Sequence, residues 1–253
     1  MTETPKLDFA FDEFCLFVDA DGTLLDIALR PELAQASRAI LTVLDRLYHA
    51  LDGALAIVSG RRIEDIDLLF APLRLPASGI HGAQLRTTPL SPILDSAAPG
   101  IPPLLADAVG AAAAHHPGAF VEDKGKALAV HWRAVPEAEA ALLSELKDLV
   151  AAIAPQFAIL RGHCVFEIKS PATSKGEAVR AFMQFAPFAG RVPVFVGDDV
   201  TDIAGIAAAK AFGGRAFSVG RRLEGADGVF ASPTEVRAWL GRLAGAGREA
   251  RSA

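Results

Sequence analysis

The chain has 253 residues, enough for one large domain or two modest ones; half of it is hydrophobic (51%) and 22% is charged, which excludes wholesale disorder. The net charge of −5 argues against a nucleic-acid partner, which needs a basic footprint, but leaves room for an anionic substrate held by a metal ion and a few local cations. Met1-Thr-Glu-Thr-Pro-Lys6 has no basic segment leading into a long apolar run, so neither a signal peptide nor a membrane span is expected, and Cys15 and Cys164, both in apolar runs, read as buried thiols of a cytoplasmic protein.

Phe14 to Val18 is an apolar run that predicts a fully buried strand. It ends in Asp19-Ala-Asp21-Gly22-Thr23. Pro31 then opens a helical pattern to about Leu51, with Leu33, Ile40, Leu41, Leu44 and Leu47 on its apolar face. Ala54 to Val58 predicts a second strand, ending in Ser59-Gly60-Arg61-Arg62, followed by a short helix through Phe70. Pro76 to Ile80 predicts a third strand, followed by His81-Gly-Ala-Gln84. Strand-helix-strand-helix-strand implies a parallel sheet.

From about Leu85 to Pro103 the chain has no clear period. A helix follows over Leu104 to Ala114, then strands Ala119 to Glu122 and Ala127 to Trp132, a helix from Pro136 to Ile153, and strands Phe157 to Leu160 and Cys164 to Lys169. Two helix-strand-strand runs predict a small antiparallel sheet with helices on one face. At Ser174, with Glu177 three residues on, a capping box opens a helix to about Phe188. Val192 to Val196 predicts a strand ending in Gly197-Asp198-Asp199, then a helix to Phe212, a strand at Ala216 to Val219 and a helix over Val236 to Leu243. A Gly/Ala/Arg-rich tail is expected to fray. The expected architecture is therefore an α/β, doubly wound, Rossmann-like core over 1–84 and 172–253, with an α+β domain inserted over 85–171.

Three polar groups follow an apolar strand directly: Asp19 with Asp21, Ser59-Gly60-Arg61, and Asp198-Asp199 with Asp202. A fourth, Lys175, opens a helix. Singly each has a bland reading, since Asp and Gly are ordinary turn residues and Asp is favoured at a helix start. Ligands of open α/β sheets, however, sit outside the carboxyl ends of the strands, and the four meet at that edge. Clustered carboxylates repel unless a cation sits between them, and magnesium suits carboxylates plus a phosphate. A hydroxyl, a lysine and helix N-terminal N–H groups can hold phosphate oxygens. In that chemistry Asp19 can attack phosphorus, while Asp21 protonates the leaving oxygen and later activates water. His115 and His116 close a helix, and neither a Walker loop nor a dinucleotide fingerprint is present, so no nucleotide cofactor is indicated.

Asp-Ala-Asp-Gly-Thr, Ser-Gly-Arg, Ser-Lys-Gly and Gly-Asp-Asp-Val-Thr-Asp, in this order, resemble the four motifs of the haloacid-dehalogenase-like (HAD) phosphatases. Val121-Glu-Asp-Lys124-Gly, Ala129-Val-His-Trp-Arg133, Glu167-Ile-Lys169 and Gly79-Ile-His81-Gly-Ala83 resemble the trehalose-6-phosphate phosphatase family within them. The resemblance runs from about Phe14 to Leu240. It implies Asp19 as nucleophile, Asp21 as general acid/base, and Ser59 and Lys175 as holders of the phosphoryl group. It implies magnesium on Asp19, the Asp21 carbonyl and Asp198, supported by Asp199 and Asp202. Gly22, Gly60, Arg61, His81, Glu122, Lys124, Arg133, His163 and Glu167 are the implied substrate-binding positions, and the inserted domain is the implied cap. Gln84, His163 and Ile203 depart from the family pattern, which has glutamate, lysine and glutamate there. The expected partner is a small sugar phosphate, with no nucleic acid or membrane and a monomer favoured. Phosphatases of the superfamily that act on sucrose-, mannosyl- or hexose-phosphates, and a non-catalytic phospho-acceptor domain, are the alternatives.

Overall fold

The computed structural model describes residues 7–27, 35–162 and 164–252. Contacts within the chain divide it into two units: Met1–Asp95 with Ser174–Ala253, and Ser96–Thr173.

The first unit is built on an eight-stranded sheet. Its centre is β1 (Phe14–Val18), all five residues of which are fully buried. β1 lies between β2 (Leu55–Val58) and β10 (Val192–Gly197), parallel to both. The sheet continues from β10 through β11 (Arg215–Val219) to β12 (Gly228–Phe230), and from β2 to β3 (Ala77–Gly79), all parallel. A strand that is covered on both faces and paired on both edges has no use for polar alternation, which is why β1 reads as an unbroken apolar run.

Among the described residues, five α-helices belong to this unit: α1 (Arg38–Ala50), α2 (Ile63–Leu69), α5 (Lys175–Phe182), α6 (Ile203–Ala211) and α7 (Pro233–Ser252). In α1 the Ser37 hydroxyl accepts from the Ile40 N–H at 3.4 Å, and Ile40, Leu44 and Leu47 form the buried stripe. The expected start at Pro31 lies outside the described residues; the described helix begins at Arg38.

Four expectations are corrected. Residues 85–95 belong to the first unit and not to the insert, because β4 (Gln84–Arg86) pairs antiparallel with β3, and β5 (Leu94–Asp95) antiparallel with β4. Strands of two and three residues are too short to show a period. Arg86 anchors the stretch: it is fully buried, with Nη1 and Nη2 on the two oxygens of Asp67 at 2.6 and 2.5 Å and a further bond to the Leu75 carbonyl. Helix α5 stops at Phe182, short of Phe188, and Pro187 cannot extend it because it lacks an N–H and disfavours helix in the residue before it. The described part of the tail is helical: α7 runs to Ser252, and Gly247 sits so close to α1 that a Cβ there would lie 2.8 Å from that of Ala50. Cys15 is buried, whereas Cys164 is only half-buried.

The second unit carries a four-stranded antiparallel sheet in the order β6 (Phe120–Asp123), β7 (Ala127–His131), β9 (Val165–Lys169), β8 (Ala158–Gly162). Alternate residues Leu128, Val130, Phe166 and Ile168 share a core with Leu105 and Val109 of α3 (Pro103–Ala114) and Leu142, Leu146 and Val150 of α4 (Glu139–Ile153). The period of two sends the intervening residues, Ala129, His131, Glu167 and Lys169, to the opposite face. Among the described residues no helix is long and apolar enough to cross a membrane.

Candidate active site

The site is assembled where β1 and β10 end side by side. Asp19 directly follows β1, tied by its N–H to the Val196 carbonyl at 2.9 Å. Asp198 directly follows β10. Between them the chain turns at Gly22, whose φ of +79° suits glycine and whose missing Cβ makes room for an acid: a methyl there would lie 2.2 Å from Asp198 Oδ2. Thr23 Oγ1 donates to Asp198 Oδ1 at 3.2 Å. Asp202 closes the loop after β10, its Oδ2 accepting the N–H groups of Asp198 and Asp199 at 3.0 Å each. Lys175, the first residue of α5 after the N-cap Ser174, reaches both ends of this arrangement: Nζ is 2.7 Å from Asp19 Oδ1 and 2.7 Å from Asp202 Oδ1.

This is a buried excess of negative charge. Asp19, Asp202 and Lys175 are each at most 3% exposed. One ammonium faces three carboxyls. Burial, together with the charges of Asp202 and Asp198, pushes the Asp19 carboxyl well above the usual carboxylate range despite Lys175. Asp198 is pushed up to about 6, by burial first and then by Asp202. Burial alone would lower the Lys175 pKa, but the Asp19 and Asp202 charges outweigh it and raise it. Oxygens of Asp19, Asp198 and Asp202 lie within 4.8 Å of one another, so the group can hold a cation, which would relieve the repulsion that raises the two carboxyls. Asp202 already spends three of its acceptor sites on Lys175 and two amides, so Asp19 and Asp198 have more ligand capacity to spare.

The other predicted core residues surround this group without joining it. Asp199 caps the turn Val200–Asp202 and pairs with Arg221 at 3.0 Å. The Asp21 carboxylate is gripped by Arg61, Nε to Oδ2 and Nη2 to Oδ1, both at 2.7 Å. Ser59 follows β2, nearly fully buried, with Oγ accepting the Arg61 N–H at 3.2 Å. His81 is buried in a turn where Ile80 and His81 both take positive φ, 47° and 51°. Its ring packs so near Gly60 that a Cβ on that glycine would lie 2.4 Å from Nε2.

In the second unit, strand register places Glu122 opposite Ala129 and Ala129 opposite Glu167. The two carboxylates thus flank a small residue in one row, and Lys124 Nζ lies 3.8 Å from Glu122 and 3.6 Å from Glu167. His131 Nε2 lies 3.1 Å from Glu122 Oε2 and stacks on Phe120, centroids 4.5 Å apart. Burial would raise Glu122, but the His131 hydrogen bond and the Lys124 charge hold it below the usual range. Arg133 is half-buried, two residues past the end of β7. His163 lies outside the described residues.

Sequence reasoning missed three supporting contacts. Thr23 on Asp198 and Arg221 on Asp199 carry no signal beyond adjacency to a motif. Gln84 accepts the Ile63 N–H through Oε1 at 3.0 Å and so caps the start of α2. An amide oxygen can fill that role as well as a carboxylate can, which accounts for the departure there.

Comparison with known proteins places the chain in a family. The family "Trehalose-phosphatase" matches residues 17–207. The trehalose-6-phosphate phosphatase of Escherichia coli is 41% identical over 244 residues, 95% of this chain and 89% of that protein. A probable trehalose-phosphate phosphatase of Sinorhizobium fredii is 35% identical over 223 residues, covering 88% and 84%. Among solved structures, the C-terminal domain of the Candida albicans trehalose-6-phosphate phosphatase superposes with a TM-score of 0.81 at 22% identity, covering 96% of this chain and 99% of that one. A phosphatase of the HAD superfamily from Bacteroides thetaiotaomicron gives 0.58 at 17% identity, covering 96% and 99%. These two likenesses speak for the fold.

Proposed function

The chain belongs to the trehalose-phosphatase family, and from that premise we infer the reaction: hydrolysis of trehalose 6-phosphate to trehalose and phosphate by a phosphoric monoester hydrolase. The observation that carries the reading is the buried group of Asp19, Asp198 and Asp202 around Lys175 at the ends of two adjoining parallel strands.

Asp19 is the nucleophile: one oxygen bonds to phosphorus as the bond to the sugar oxygen breaks, leaving a phospho-aspartyl group. Asp21 supplies the proton that the departing oxygen needs, then takes one from the water that releases phosphate and restores Asp19. Lys175 and the Ser59 hydroxyl hold phosphoryl oxygens, and Lys175 keeps Asp19 oriented meanwhile. Asp19 and Asp198 would hold magnesium, with Asp202 fixing the loop, and the bound ion would supply positive charge against the carboxylates and the phosphoryl oxygens.

The sugar offers hydroxyls and ring oxygens, and the Glu122–Lys124–Glu167 row offers acceptors and a donor matched to them, with Arg133 and His163 assigned to the same role. The free thiols of Cys15 and Cys164 suit a reducing cytoplasm.

The test is a panel of phosphorylated sugars assayed for phosphate release with magnesium and with chelator. Trehalose 6-phosphate should give the highest kcat/KM, and chelation should abolish turnover. Preference for a sucrose- or mannosyl-phosphate would overturn the substrate, and full activity after exhaustive chelation would overturn the metal.

A further inference from the structure

We propose that Arg61 is a positioning residue for Asp21 in the water-activating half of the reaction, and that it does not grip the phosphoryl group. The proposal rests on the reading of Asp21 as the proton-transfer group.

Arg61 is fixed along its whole length. Its N–H is on the Ser59 hydroxyl at 3.2 Å, and its carbonyl accepts the Ile80 N–H at 2.8 Å. That second bond comes from the left-handed turn, where a β-branched residue holds φ at +47°. Such a conformation persists only where surrounding structure imposes it. From this anchored backbone the guanidinium sends Nε and Nη2 to the two oxygens of Asp21, both at 2.7 Å, with the arginine side chain 13% exposed. The planar fork sets the plane of the carboxylate and takes one lone pair on each oxygen. The lone pairs on the far side remain, and they are what a base uses. Held in this way from one side, the carboxylate presents its open side in a fixed direction, which is the orientation a general base needs in the second half-reaction. There a water oxygen bonds to phosphorus and the Asp19 oxygen–phosphorus bond breaks. Asp19 leaves as a carboxylate, and the water proton goes to Asp21, ready for the sugar oxygen of the next ester.

An aryl phosphate separates the two halves, because its leaving group departs without a proton. With magnesium-loaded enzyme and 4-nitrophenyl phosphate in a stopped-flow instrument, Arg61→Gln should release a burst of about one equivalent of 4-nitrophenolate per enzyme. A steady state at least roughly a hundredfold below wild type should follow, the size expected for loss of an oriented general base. Acid quenching should trap the phosphorylated protein. Arg61→Lys keeps the charge without the fork and should show the burst with a smaller steady-state loss; it carries the test if Arg61→Gln fails to fold by circular dichroism. A variant without a burst, with KM raised by the same factor for aryl and sugar phosphates, would overturn the proposal and return Arg61 to phosphoryl binding. Asp21→Asn is run alongside: wild-type turnover there would instead overturn the reading of Asp21, and the proposal with it.

Discussion

Lys175→Met removes the one ammonium that lies between Asp19 and Asp202 while keeping a side chain of similar length. Removing one partner of a buried ion pair costs about 3–5 kcal/mol, because the other charge stays buried and uncompensated. Two features of the structure pull the value toward the lower end. Asp202 keeps two amide donors at 3.0 Å, and Asp19, whose carboxyl burial already pushes upward, can escape by taking up a proton. The expected loss is therefore about 3 kcal/mol at pH 7, read from urea unfolding in chelator. Magnesium should narrow the gap between variant and wild type, since a cation among the three carboxyls replaces part of the lost charge. Lowering the pH should narrow it too: a carboxyl with a raised folded pKa binds its proton more tightly in the folded state, so its penalty is absent below the ordinary carboxylate pKa, grows as pH rises from there to the folded value, and is constant above it. A loss below about 1 kcal/mol, the level of an exposed pair, or a loss indifferent to pH, would refute the account of a buried, charge-deficient cluster.

Asp19→Asn should abolish phosphate release in a protein that remains folded by circular dichroism, because an amide cannot form the acyl phosphate; turnover at the normal rate would end the nucleophile assignment. Gly22→Ala should weaken magnesium binding by more than about tenfold in calorimetry, since the new methyl would lie 2.2 Å from Asp198 Oδ2 at a φ of +79°. In metal-free protein, stability to urea relative to Asp198→Asn should fall as pH rises from 3.8, the ordinary value for Asp198, through about 6, its value in the fold, and level off above that; a rise of this difference over the window would contradict the sign. Lys124→Ala and Glu167→Ala should each lower kcat/KM for trehalose 6-phosphate by roughly tenfold to a hundredfold, the effect of one lost charged contact, with little change on 4-nitrophenyl phosphate. Equal losses on both substrates would make the row structural.

The parts of the fold most legible in the sequence are those where one physical cause dominates. β1 and β10 are buried on every side, so their composition is uniform and their acidic ends stand out. Helix α1 buries one stripe, so its period shows. Legibility fails where short elements are defined by their partners: β4, β5 and β12 are two or three residues long and exist because a neighbouring strand offers hydrogen bonds. The positions of Asp19, Asp198 and Lys175 in the sequence suggested one site, but the division of labour did not follow from spacing. Asp202 is a brace with both oxygens committed, and Asp21 faces an arginine forty positions away. Such pairings are three-dimensional facts about side-chain reach, and adjacent motifs do not encode them.

The pairing of β1 with β10 joins Phe14 to Val192, and this distance along the chain has a consequence for synthesis. A ribosome adding about 5–20 residues per second needs roughly 10 to 35 s to deliver the partner after β1 has been made. During that interval β2 can cover only one edge of an entirely apolar strand. The other edge offers unpaired amides and carbonyls to any extended chain nearby, the condition under which nascent polypeptides aggregate. Chaperone dependence during translation should therefore track residues 14–18, and a charge placed within β1 to keep the nascent chain soluble would forfeit the strand that sets Asp19 in place.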